Sequence, residues 1–142
     1  MNLTNTEIRE YGFQARESVE TIAQNCGTIV DTFEGLLNDR AGLPWRGEFD
    51  GNYGRCHIRV GPNGEEKHYI FVIDGIFLDE FEQGDAVWID LSFDQFNDQN
   101  KSKGIVEVSY GEASSLSPVK ILGPNHPERE DGFYQKVGDI FD

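Results

Sequence analysis

The chain has 142 residues and carries 26 acids against 12 bases, a formal net charge of −14. Those figures suit one domain, and no apolar run approaches the ~20 residues of a membrane helix. They also leave few bases for the cationic face of a direct nucleic-acid binder. The opening residues, Met1 to Glu7, lack the positive region and apolar run of a signal peptide, so a cytoplasmic setting is expected.

The first 41 residues read as helical. Thr4 and Glu7 have the spacing of a capping box. Ile8, Ala15, Ile22, Ile29 and Leu36 recur every seven residues, and Val19, Cys26 and Phe33 fall four after members of that series. Together they form one apolar stripe. Gly12, Gly27 and Gly35 weaken a continuous helix, with Gly27 as the expected break. The pattern predicts one long kinked helix, or two near 5–25 and 28–39. Core packing accounts for the stripe; a self-association seam is the alternative.

Gly42 and Pro44 end the helical region, and the period then changes to two. Cys56, Ile58 and Val60 alternate with Arg55, His57 and Arg59. The turn Gly61-Pro62-Asn63-Gly64 leads into a second run, Lys67 to Ile73, whose stretch from His68 is apolar on both faces and reads as a central strand. Further strands are predicted at Ile76–Phe81, Ala86–Leu91, Ile105–Tyr110 and Val119–Leu122. The fold class is therefore α+β: an N-terminal helix packed on a five- to six-stranded antiparallel meander. It forms a single domain over 1–142, with a helical region at 1–41, the sheet at 46–122 and a loosely structured acidic tail at 123–142.

Between Asp74 and Asp98 there are acids and no base: Asp74, Asp79, Glu80, Glu82, Asp85, Asp90, Asp94 and Asp98. Their mutual repulsion costs folding free energy without any evident benefit to the fold. Trp88 alternates away from Val87 and Ile89, and if exposed beside Asp90 it offers an arginine-rich partner an aromatic face. These nine residues are the expected partner-binding surface. The bases Arg46, Arg55, His57 and Arg59 cluster elsewhere, either pairing with acids on neighbouring strands or forming a small anion site.

Catalytic and metal motifs are absent from the linear sequence. His57, His68 and His126 have no second His at i+2 or i+4, and Asp94, Asn97, Asp98 and Asn100 lack the glycine and closing Glu of a calcium loop. No metal or cofactor is expected. Cys26 and Cys56 read as buried, reduced thiols, with a disulfide between them left open. Neither has a base beside it in sequence at a helix start; His57 follows Cys56 but points to the opposite face of a strand. A nucleophile–base pair assembled in space leaves no linear signature.

In outline and charge the chain resembles immunity proteins that neutralise nuclease toxins, acidic inhibitors that mimic DNA, and type III secretion chaperones. The leading expectation is a non-enzymatic acidic protein, monomer or homodimer, that masks a basic partner such as a nuclease through 74–98. It touches neither nucleic acid nor membrane directly. The alternatives are an assembly or chaperone-like subunit using the N-terminal helix, and a small enzyme with a pocket in a curled sheet.

Overall fold

The computed structural model of the protein describes residues 2–20, 25–60, 66–93, 119–130 and 134. Helix α1 spans Asn5–Glu17 and opens with the expected capping box: the Thr4 hydroxyl accepts from the Glu7 N–H, and the Glu7 carboxylate accepts from the Thr4 N–H, both at 3.1 Å. Helix α2 spans Cys26–Ala41 and ends at Gly42, whose φ of 71° is the left-handed geometry that suits glycine.

The helical region is thus two helices, but the break is not at Gly27. Helix α1 stops at Glu17, where the Ser18 hydroxyl and N–H both turn back onto the Ala15 carbonyl at 2.6 and 3.2 Å. Gly27 lies inside α2, where a Cβ would sit 3.3 Å from the Tyr69 ring. The apolar stripe goes into the core: Ile8, Ala15, Ile29 and Phe33 are fully buried, and Val19 and Leu36 pack against them. Ile22 lies outside the described residues.

Among the described residues the sheet has four antiparallel strands in sequential order: β1 (Tyr53–Val60), β2 (Glu66–Asp74), β3 (Ala86–Asp90) and β4 (Lys120–Leu122). The central position expected for the His68 run is borne out, since β2 pairs with both β1 and β3. The strand expected at Ile76–Phe81 is replaced by a 3₁₀ turn, Gly75–Phe77, and a single bridge between Leu78 and Leu3. The Asp74 carboxylate accepts from the Ile76 N–H at 2.9 Å and winds the chain into that turn. The strand expected at Ile105–Tyr110 falls outside the described residues.

Both faces of the sheet are covered. One buries Tyr53, Phe71, Ile73, Val87 and Ile89 under the helices. The other buries Cys56, Ile58, Ile70, Val72, Trp88 and Leu122 together with Tyr134. Within the expected tail, Pro127–Glu130 forms a 3₁₀ turn. Its Arg129 guanidinium lies 3.7 Å from the Trp88 ring centroid and donates to the Leu122 carbonyl at 2.9 Å. The described tail residues therefore dock on the second face.

Candidate functional site

Asp90 stands at the end of β3, and its carboxylate is wholly buried. A carboxylate in that position must find donors. One oxygen receives His68 Nε2 of β2 at 2.8 Å and the Ser92 N–H at 3.1 Å. The other receives the Tyr134 hydroxyl at 2.7 Å. Helix α2 brings a third group toward this pair: Cys26, the first residue of the helix, is partly exposed and adds to the upward shift of the His68 pKa. His68 and Asp90 form a wholly buried, hydrogen-bonded pair, and the partly exposed Cys26 acts on His68 from the start of α2.

Burial acts most strongly on His68 and lowers its pKa, but the Asp90 charge and the hydrogen bonds from Asp90 and Cys26 outweigh it and push it up to about 9. Burial likewise opposes ionisation of Asp90, yet the His68 charge, the His68 and Tyr134 hydrogen bonds and the Lys120 ammonium hold its pKa below the ordinary carboxylate value. An imidazolium–carboxylate pair is the resting state these shifts favour. Cys26 stands at the N-terminus of α2, next to this buried pair. The N–H groups of a helix's first turn have no acceptor within the helix, and in α2 the Asn25 side chain makes no capping bond. Cys56 is the contrast: it is buried among apolar strand residues, and desolvation pushes its thiol up to about 12. Both cysteines are free, so the disulfide left open by the sequence is not formed.

The structure divides the expected acidic surface. Asp79, Glu80 and Glu82 are exposed and Asp85 is half-buried. Glu80, Glu82 and Asp85 line one hollow of about 430 Å³ with Phe81, Ile121 and His126. Asp74 is spent on the backbone, accepting from the Ile76 and Gly84 N–H groups at 2.9 and 3.1 Å. Asp90 and Trp88 do not belong to any surface: the residues expected to face a partner lie beneath Tyr134 and Arg129. Asp94 and Asp98 lie outside the described residues.

The basic cluster also departs from expectation. Arg55 pairs with Asp31 of α2 at 3.0 Å rather than with a strand acid, and Arg46 pairs with Asp50. Arg59 has Lys67 as its cross-strand neighbour. A cleft of about 330 Å³ opens here, lined by Glu48, Phe49, Arg55, Cys56, His57 and Tyr69. Among the described residues no group of three or more His, Cys, Asp or Glu is placed to hold a metal ion, and no helix is long and apolar enough to cross a membrane.

Linear reading missed Cys26 and His68 as a pair because they lie on a helix and a strand far apart in sequence. A usable signal was present: His68 opens one apolar strand run and Asp90 interrupts another, and buried ionisable groups need partners. Comparison with known protein families, characterised proteins and solved structures returns no match to this chain.

Proposed function

We propose that the protein is a cysteine-dependent acyl-transfer enzyme, a hydrolase of an amide or ester, with Cys26 as nucleophile, His68 as acid–base group and Asp90 as the group that orients it. The observation that carries this reading is the buried His68–Asp90 pair, 2.8 Å apart, with Cys26 acting on His68 from the first residue of α2. Triads are recognised by geometry and role rather than by order in sequence, and this one has the parts of the thiol version. The Cys26 thiolate attacks the substrate carbonyl carbon, and the oxyanion that forms is met by first-turn N–H groups of α2. His68 gives its proton to the leaving amine or alcohol as the carbon–heteroatom bond breaks, leaving a thioester. Water, deprotonated by His68, then attacks the thioester carbonyl and returns the thiolate. Asp90 fixes the tautomer and orientation of the ring throughout.

Alkylation by N-ethylmaleimide at pH 6.5, followed by peptide mass spectrometry, tests it. Cys26 should react roughly tenfold or more faster than 2-mercaptoethanol, Cys56 should not react, and His68→Asn should remove the advantage. With p-nitrophenyl acetate, a stoichiometric burst and an acetyl group on Cys26 should follow. A Cys26 no faster than the free thiol, with no acyl adduct, would overturn the proposal.

A second reading keeps the acidic surface as a docking site for a basic protein. The shared hollow of Glu80, Glu82 and Asp85, with Asp79 exposed nearby in sequence, supports it. A lysine or arginine side chain of a partner suits such a hollow, and charge-reversal of these four acids should slow association and weaken its salt dependence. Unchanged association kinetics would remove it.

A further inference from the structure

The acyl-transfer reading leaves the substrate unspecified, and the surface beside the thiol carries a charge pattern that narrows it. Resting on that reading, we infer that the cleft on the β1–β2 hairpin is a subsite for a negatively charged group of the acyl substrate. The cleft adjoins the start of α2. Gly27, the residue after Cys26, packs on Tyr69: a Cβ built at Gly27 would lie 3.3 Å from the ring. Tyr69 is a wall of the cleft. The His57 ring stacks on it, with centroids 4.6 Å apart and planes at 24°, and the Arg55 guanidinium lies 5.2 Å from its centroid.

The cations on this face are concentrated at a cost. The register sets Arg59 directly opposite Lys67, next to the His57–Tyr69 pair. Like charges directly opposite on a sheet are destabilising. Both side chains are exposed, and neither forms an ion pair with a described residue. Burial, then Lys67, Arg59 and Arg55, hold His57 below its ordinary pKa, so all three cations act on one point. Among the described side chains, the carboxylates here are Asp31, bound to Arg55, and Glu48 on the cleft wall. In a chain with 12 bases and a net charge of −14, Arg55 lines this cleft and Arg59 and Lys67 stand at the next outward-facing positions of the same hairpin, over an aromatic wall formed by Tyr69. The net field of the protein repels anions, so an anion preference at Cys26 reports this local cluster alone.

The experiment compares three maleimides of similar size at Cys26: anionic 3-maleimidopropionate, neutral N-ethylmaleimide and cationic N-(2-aminoethyl)maleimide. Rates are normalised to those of 2-mercaptoethanol. The anionic reagent should be favoured over the neutral one by about fivefold at low salt, and the cationic one disfavoured. The preference should disappear in the Arg59→Glu/Lys67→Glu double variant and at 1 M salt. A fast reaction of Cys26 with N-ethylmaleimide but equal normalised rates for all three reagents would overturn the subsite while leaving the thiol reading intact. An inert Cys26 would overturn the thiol reading; the subsite is then judged by the His57 imidazole signals in NMR during titration with inorganic phosphate. A saturable shift in the parent protein that is absent in the double variant upholds an anion site, and no shift overturns it.

Discussion

Replacing Asp90 with Asn removes the charge that holds the proton on His68. In the folded protein His68 titrates at about 9 against an ordinary 6.5, a gap of about 2.5 units. At about 1.36 kcal/mol per unit, that is on the order of 3 kcal/mol of folding stability. The folded pKa is the raised one, so the contribution is fully present below pH 6.5 and is lost as pH rises through 9. Both proteins compared, the parent and Asp90→Asn, carry Cys26→Ser, which removes the thiol that would otherwise titrate in that window. Cys56 begins to matter only above its ordinary 9.0, and Arg129, lowered by burial to about 10, stays charged across it. In Asp90→Asn, burial is left to govern His68 and keeps it neutral, so the dependence should flatten. Urea unfolding at half-unit steps from pH 6 to 9.5 measures this directly. The parent should lose about 3 kcal/mol across the range and the variant a small fraction of that. Parallel curves for the two proteins, or a flat curve for the parent, would refute the buried ion pair.

Tyr134→Phe strips a 2.7 Å donor from a wholly buried carboxylate, and should cost about 1–3 kcal/mol in chemical denaturation at pH 7. Gly54 has a φ of 146°, and a Cβ there would lie 2.6 Å from the Glu48 carbonyl group and the Phe49 nitrogen; Gly54→Ala should lower Tm by several degrees or more, or abolish soluble expression. The buried Glu34 carboxylate accepts from the Arg46 and Gly47 N–H groups at 2.7 and 3.3 Å. Glu34→Ala should therefore cost about 2 kcal/mol and raise hydrogen exchange at Arg46, which NMR can follow residue by residue.

Local signals carried the elements well. The Thr4–Glu7 box marks the start of α1, and the switch from helical to alternating period marks the entry to the β1–β2 hairpin. Local signals failed where a side chain competed for its own backbone, and where a side chain's partner is remote. The segment after Asp74 has strand composition, but the Asp74 carboxylate competes for its backbone and makes a turn. Alternation in β3 places Trp88 and Asp90 on one face and cannot say whether that face meets water. Here it meets Arg129 and Tyr134, far downstream. The candidate triad was illegible for the same reason: three elements each contribute one residue, and only their packing brings the residues together.

The reach of Tyr134 has a bearing on biosynthesis. The hydroxyl that secures the second oxygen of Asp90 belongs to a residue made long after Cys26 and His68. On the ribosome, the thiol and imidazole emerge well ahead of the phenol that completes the carboxylate's coordination. A nascent chain halted before Tyr134 holds an under-bonded Asp90 and a His68 with a loosened anchor. Completion of this buried polar cluster is therefore coupled to translation having passed that codon, and release of an immature chain would leave Asp90 one donor short.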